Sequence, residues 1–227
     1  MNILAIDCAV SRLCISLKYD DKMITEILDI GMRQSEMLLP TINEILNKAA
    51  IKAENLDATT LTIGPGSFTG LRLGISALKA IELAYNIPVY GISSLKAYAW
   101  PFYQTELPVL SCIDANKDKF YASITKKDST ILSEDDYEIS SIITSINTNK
   151  IKKLIISGPD AKKMQELLEK ELSDCQLISL NTHFDTAEAL IEITEEMINK
   201  KIEPLKDFDG PVYLRASEAE IKLKEQE

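Results

Sequence analysis

The sequence predicts an α/β fold in which mixed β-sheets are flanked by helices, and three observations support this prediction. Short apolar strands alternate along the chain with segments of helical periodicity. The chain begins with an antiparallel meander, and a similar opening recurs halfway along. With 227 residues, 45% of them hydrophobic, the chain is long enough for one large or two small domains.

The first half is predicted to open with three strands and one helix. The strands are expected over residues 2–8, 12–19 and 22–30. A helix follows over about 35–50, because apolar residues recur there at helical spacing, and Ser35 is its expected N-cap. Pro40 is expected to bend this helix, because its ring removes one backbone hydrogen bond.

Two β-α units complete the first half. They comprise strand 59–63, a helix over about 70–85, strand 88–92 and a helix over about 94–103. A segment with three glycines, residues 64–70, connects the first strand to its helix.

The second half is predicted to repeat this organisation. Strands are expected over residues 107–113, 119–125, 129–132, 153–157 and 176–180, and helices over about 138–147, 160–172 and 186–200. Composition places the boundary near Thr105–Leu107, which gives a first lobe over residues 1–104 and a second lobe over 105–227. The last segment is expected to return to the first lobe.

Each half begins with a strand that ends in an aspartate and turns tightly into a second strand. Asp7 and Asp114 occupy this position, and the pattern is typical of actin, hexokinase and Hsp70, where two such loops hold nucleotide phosphates and their metal. Neither loop contains glycine, so capping of the strand ends is an equally weighted alternative to residual nucleotide binding. Gly158 marks a candidate adenosine loop with a single glycine.

The glycine segment resembles a phosphate loop in position but not in sequence, because no Lys follows in a Walker A arrangement. Arg72 is a candidate to meet an anion at the start of the following helix. Gly74 and Ala77 begin a band of small residues. This band predicts either internal helix–sheet packing or close contact with another helix, with equal weight.

Composition argues against several functions. His183 is the one histidine in the sequence, so one protomer cannot form a two-histidine metal site, and the residue is interpreted as part of a loop before the last helix. The net charge of -10 disfavours direct binding of nucleic acid, and no G-x-S-x-G protease motif is present. The four separated cysteines predict reduced, buried thiols and a cytoplasmic protein. No window of about 18 uncharged apolar residues is present, so no membrane span is expected.

Residues 64–74, with the sequence GPGSFTGLRLG, match the hallmark of the bacterial TsaB family, also called YeaZ. Further matches follow in order: ILAID over 3–7, SEMLLP over 35–40, GISSL over 91–95, IDA over 113–115 and PVYLR over 211–215. The chain therefore resembles this family strongly over residues 1–121 and weakly over 122–210. Three departures from its pattern, at Cys8, Gln34 and Asn116, weaken the case for nucleotide chemistry in the cleft.

The resemblance implies a two-lobed actin-like fold of the ASKHA, ribonuclease H-like class, with a reduced second lobe. It implies a non-catalytic subunit that pairs through its first two helices with the catalytic TsaD paralogue. With a TsaE-type ATPase, the complex places threonylcarbamoyl on the tRNA adenosine beside the anticodon, so tRNA is reached only through the complex. A homodimer in isolation and weak nucleotide binding, with no other cofactor or metal, are also compatible with the family.

These expectations assign a role to each candidate site residue, and no catalytic residue is among them. The candidate partner-binding residues are Met37, Leu38, Ile42, Ile45, Leu71, Gly74, Ala77, Leu78 and Ile81. The candidate vestigial cleft residues are Asp7, Asp114 and Gly158, and the structural motif comprises Gly64, Gly66, Ser67, Gly70 and Arg72. The alternative function is that of a weakly active nucleotide-binding phosphotransferase of the same superfamily.

Overall fold

The computed structural model describes residues 1–179 and 186–215, which form two five-stranded mixed sheets of matching topology. The first sheet has the strand order β3-β2-β1-β4-β5, with β1 Ile3–Asp7, β2 Arg12–Tyr19, β3 Lys22–Asp29, β4 Ala58–Gly64 and β5 Val89–Ser93. The second has the order β10-β9-β6-β7-β8, with β6 Val109–Asp114, β7 Lys119–Lys126, β8 Ser129–Glu138, β9 Lys153–Ser157 and β10 Gln176–Ser179. The helices are α1 Gln34–Ala49, α2 Phe68–Tyr85, α3 Ser94–Ala99, α4 Ile139–Thr148, α5 Ala161–Leu168 and α6 Thr186–Asn199.

The first sheet is covered by helices on both faces. Strand β1 lies at its centre, antiparallel to β2 and parallel to β4, and all five of its residues are buried. Apolar residues of α1 and α2, such as Leu38 and Leu78, pack on one face. On the other face, Ile3 of β1 packs with Leu190 and Ile191 of α6. This two-sided burial accounts for the nearly continuous apolar composition of β1.

The second sheet repeats the arrangement around β6. Residues such as Ile142 of α4 and Met164 of α5 form a core with Phe120 of β7. Because α6 follows β10 in sequence but packs on the first sheet, the second lobe has as many strands as the first but fewer helices. Among the residues with described positions, no helix is long and apolar enough to cross a membrane.

Several element boundaries differ from the sequence prediction. The N-cap assignment of Ser35 was wrong, because a 3-10 helix over Gly31–Arg33 leads directly into α1 at Gln34. The helix predicted over 94–103 is α-helical only to Ala99 and continues as a 3-10 helix with Pro101 near its start. The predicted His183 loop and the end of strand 176–180 lie outside the described residues.

Strand β8 extends to Glu138, beyond the end predicted at residue 132. Its polar sequence gives no strand signal there, and the extension depends on hydrogen bonding to β7. Its last residues pair with the start of β7, where Lys119 faces Glu138 and Phe120 faces Tyr137. Context outside the strand therefore extended it beyond residue 132.

The buried-thiol prediction holds for three of the four cysteines. Cys8, Cys14 and Cys112 are buried, whereas Cys175 is partly exposed, and none forms a disulfide. Burial raises the pKa of the Cys8 thiol, with a smaller contribution from the neighbouring Asp7 carboxylate, so Cys8 is held in its neutral form.

After α6, residues 202–215 run back along the first lobe, and we call them the return segment. The amide of Leu205 donates to the carbonyl of Val89 at 2.7 Å, and the amide of Val212 donates to the carbonyl of Ile63 at 2.7 Å. The segment thus follows β5 and β4 before it reaches the second lobe.

Candidate functional site

Asp7, the first candidate cleft residue, is buried and fully engaged inside the first lobe. One carboxylate oxygen accepts the Ala9 amide at 2.8 Å and the Thr62 hydroxyl at 2.7 Å. The other accepts the hydroxyl of Thr186, in the first turn of α6, at 2.5 Å. Burial of a carboxylate is costly unless such donors surround it. Asp7 therefore acts here as a structural link between β1, β4 and α6.

The glycine segment packs on the backbone that follows Asp7. The amide of Ser67 donates to the carbonyl of Ala9 at 2.6 Å. A Cβ added at Gly66 would overlap the carbonyl oxygen of Ala9, and one added at Gly70 would overlap that of Cys8. The two glycines are needed for this close approach of two backbone segments, and their N–H groups are not arranged around an open phosphate site.

Two other motif residues and Gln34 of α1 complete this junction. Ser67 caps α2, its hydroxyl accepting the Gly70 amide at 3.3 Å. Gly64 begins the turn with a φ of 121°, against the carbonyl of Val212 in the return segment. Gln34 donates from its side-chain nitrogen to the carbonyls of Val10 at 2.5 Å and Arg12 at 3.2 Å.

Asp114, the second candidate cleft residue, is bound by a lysine of the same chain. The Lys163 ammonium contacts one carboxylate oxygen of Asp114 at 2.6 Å, and the Asn116 amide donates to the other at 2.8 Å. The hydrogen bond from Lys163 lowers the pKa of the Asp114 carboxyl. The Asp114 amide in turn donates to the Asp160 carboxylate at 2.7 Å. The Asp114 carboxylate is thus already paired with a cation of the same chain.

Side chains of the two lobes also meet near the two Asp-bearing turns. Val10 and Tyr121 pack against a small buried cluster that includes Ile113. Arg215, at the end of the return segment, donates to the carbonyl of Ala115 at 2.9 Å and pairs with Asp136 at 2.9 Å. The return segment thereby bridges the two lobes across this junction.

The remaining candidate cleft residue belongs to the second lobe. Gly158 lies in the turn between β9 and α5, against the backbone of Cys112. Within the two described ranges, no group of three or more His, Cys, Asp and Glu side chains could hold a metal ion.

Most candidate partner-binding residues face the interior, and their assignment to the surface needs correction. The buried ones are Leu38, Ile42, Ile45, Leu71, Gly74 and Leu78. They pack on the first sheet, because the strongest apolar stripe of each helix is the one that forms the core. Met37, Ala77 and Ile81 are partly exposed and stay candidates for contact. For Gly74, the internal-packing alternative is the one observed.

The outer face of α1 and α2, which pack side by side, carries large apolar residues that the sequence analysis missed. Leu83 of α2 is 90% exposed and Leu39 of α1 is 64% exposed. Both are out of phase with the core stripe of their helix, and that phase difference is the sequence signal that would have identified them. We call these exposed residues, with Pro40 and Ala80 beside them, the outer helical face.

Comparisons with known proteins identify the family of this chain. Residues 31–223 match the family model described as TsaD, tRNA N6-adenosine threonylcarbamoyltransferase. A Bacillus subtilis protein named tRNA threonylcarbamoyladenosine biosynthesis protein TsaB is 24% identical over 233 residues, which cover the whole of both chains. The chain belongs to the TsaB (YeaZ) family.

Solved structures support the same fold for this TsaB-family chain. YeaZ from Pseudomonas aeruginosa superposes with a TM-score of 0.72 at 21% identity, over 94% of this chain and 99% of that one. A Bacteroides thetaiotaomicron protein with an actin-like ATPase fold superposes with a TM-score of 0.50 at 10% identity, over 84% and 95% of the two chains. The predicted actin-like fold class is therefore confirmed.

Two glycines one turn apart in α2 provide a matched test of the junction. We expect Gly70→Ala to lower the free energy of unfolding by at least about 2 kcal/mol, because the new methyl group would displace the Cys8 backbone. Gly74→Ala should change it by less than about 1 kcal/mol, because its methyl would meet the Leu61 side chain at an ordinary 3.4 Å. Urea unfolding of both variants measures the difference, and equal effects would contradict this account of the motif.

Removal of the Asp7 carboxylate should destabilise the first lobe. Asp7→Ala leaves the Ala9 amide and two buried hydroxyls without their acceptor, so we expect a loss of about 3 kcal/mol. Asp29→Ala, at the exposed end of β3, is the control and should cost less than about 0.5 kcal/mol. Thermal unfolding distinguishes the two, and a near-native Asp7→Ala protein would refute the structural role.

The Asp114–Lys163 pair should make a small, acid-sensitive contribution to stability. Because the folded pKa of Asp114 is depressed, the contribution is present above its unfolded pKa of about 3.9 and is lost as pH falls through the folded value. NMR titration should find this pKa below the unfolded value in the wild type and closer to it in Lys163→Met. Both side chains are partly exposed, so the stabilisation is less than about 1 kcal/mol. An unchanged Asp114 titration in Lys163→Met would count against the pair.

Proposed function

We propose that this chain is a non-catalytic subunit in the synthesis of threonylcarbamoyladenosine on tRNA. In this proposal, it binds a TsaD-type catalytic paralogue and supports transfer of threonylcarbamoyl to the adenosine next to the anticodon. Membership of the TsaB family and the name of one relative that matches the chain over its whole length support a role in this synthesis. The scaffold mechanism rests on the outer helical face.

The outer helical face is the observation that supports the scaffold mechanism. Leu83 and Leu39 expose most of their side chains on two neighbouring helices, although the interior positions of the same helices are filled. Burial of such side chains contributes about 1.5–3 kcal/mol each, so a partner that covers them gains affinity. Two adjacent amphipathic helices offer the ridges and grooves into which helices of a related protein can pack.

The arrangement of the cleft favours a scaffold over the phosphotransferase alternative. A phosphotransferase needs cleft carboxylates that can reach a metal ion or its bound water. Both oxygens of Asp7 accept hydrogen bonds inside the first lobe, and Asp114 is paired with Lys163. No feature of the described residues specifically favours phosphoryl transfer.

Docking can activate the paralogue only if contacts with this chain are stronger in the competent state of the enzyme than in its other states. Couplings of this type amount to about 1–3 kcal/mol. A TsaE-type ATPase and tRNA would then be bound by the assembled complex. The net charge of -10 on this chain supports a partner as the source of most contacts to tRNA phosphates.

A charge placed on the outer helical face should prevent docking without unfolding the chain. We expect Leu83→Glu to raise the Kd for the purified TsaD-type paralogue by at least about 100-fold, because a desolvated carboxylate would oppose an apolar contact. Phe208→Glu is the control for the added charge, because Phe208 is a fully exposed apolar residue of the return segment and not of the outer helical face as defined above. Calorimetry gives the Kd, and a threonylcarbamoylation assay with and without each variant gives the functional effect.

Three outcomes would count against parts of the proposal. Unchanged binding of a folded Leu83→Glu variant would remove the outer helical face from the mechanism. Modification of tRNA by this chain alone would refute the non-catalytic role. Failure of the wild-type chain to bind the paralogue at high concentration would refute the scaffold function itself.

A further inference from the structure

Arg72 projects from the exposed side of α2. It is followed at helical spacing by Ser76 and Leu83, which are also exposed, so the three residues lie along one stripe of the helix. This stripe connects the start of α2 with the outer helical face. The stripe also carries Lys79, but its ammonium already pairs with Glu82 and donates to the Lys206 carbonyl at 2.9 Å, so Arg72 is the cation of the stripe that no described carboxylate binds.

The guanidinium group of Arg72 is held in place by two aromatic rings. It lies 3.8 Å from the centroid of the Phe68 ring and 5.9 Å from that of Tyr213. The two rings are stacked on each other with centroids 5.1 Å apart, and the Arg72 Nε donates to the Tyr213 hydroxyl at 3.0 Å. Stacking and this hydrogen bond fix a side chain that is otherwise flexible.

The held guanidinium lacks a carboxylate partner in the described part of the chain. Arg33 pairs with Glu36, and Arg215 pairs with Asp136. Arg72 has no such pair there, and its Nε is the nitrogen that is hydrogen-bonded. Its terminal N–H groups are therefore available as a planar fork, the geometry that binds a carboxylate through two parallel hydrogen bonds.

We infer that Arg72 is a preorganised receptor for a carboxylate on the protein that docks against the outer helical face. This inference rests on the proposed function, because it names one chemical feature of the docked partner. Arg and Tyr are enriched at the energetic centres of protein interfaces, and a side chain fixed before binding loses less entropy on association.

Charge supports a protein carboxylate over an RNA phosphate as the bound group. Binding of a nucleic-acid backbone needs several cations, whereas this chain has a net charge of -10 and the second cation of the stripe, Lys79, is already paired with Glu82. An Asp or Glu side chain of a protein partner needs only one, beside apolar contacts such as Leu83. Tyr213 is a positioning residue in this arrangement, and it belongs to the return segment.

Calorimetric titration of the full chain with the purified TsaD-type paralogue, at low and high salt, tests the inference. Arg72→Gln should raise the Kd about 10- to 100-fold, and its Kd should depend less on salt than that of the wild type. Arg72→Lys should lie between the two, because it keeps the charge but not the fork. Tyr213→Phe, which removes only the hydroxyl, should raise the Kd about threefold.

Arg33→Gln is the matched control, because Arg33 is an exposed arginine before α1 that already has a carboxylate partner. It should change the Kd by less than about twofold. If Arg72→Gln matches Arg33→Gln, the inference is wrong and the scaffold function stands. If its loss is the same at both salt concentrations, the bound group is not a carboxylate. If the wild type does not bind, both proposals are wrong. Thermal unfolding checks that each variant is folded.

Discussion

The buried carboxylate of Asp7 is the interaction on which the first lobe depends. It joins a turn after β1, a strand in the middle of the first half and a helix near the end of the described chain. Since a buried carboxylate is stable only when donors surround it, these three segments must meet at one point. The glycines of the 64–70 segment then allow the neighbouring backbones to approach. The same side chain that suggests a nucleotide site from sequence is thus a fold-defining contact.

Strand periodicity and the repeated aspartate were sufficient to predict the alternation of elements, the first meander and the fold class. Helix ends were less predictable: α1 begins without a side-chain cap, so Ser35 gave a misleading signal. The length of β8 was missed because its polar sequence is held by pairing with β7. Such pairing depends on a neighbour that local sequence does not specify.

The candidate site illustrates a related limit. Periodicity identified α1 and α2 as the relevant helices, but it identified their inner stripe, because core residues give the strongest apolar signal. Leu39 and Leu83 lie outside that stripe and were overlooked. The contact between Arg72, Phe68 and Tyr213 could not be predicted from the sequence. Tyr213 is 141 residues from Arg72 and reaches it through the return segment.

The covering of the first sheet by α6 also bears on synthesis by the ribosome. The hydrogen bond from Thr186 to Asp7 spans 179 residues, and the apolar surface of Ile3 is covered by Leu190 and Ile191. A nascent chain of which only the first half has been synthesised would leave one apolar face of its first sheet exposed to water. Long-range closure of this kind slows folding and favours aggregation of intermediates. Chaperone capture during translation would therefore be most useful before α6 emerges from the exit tunnel.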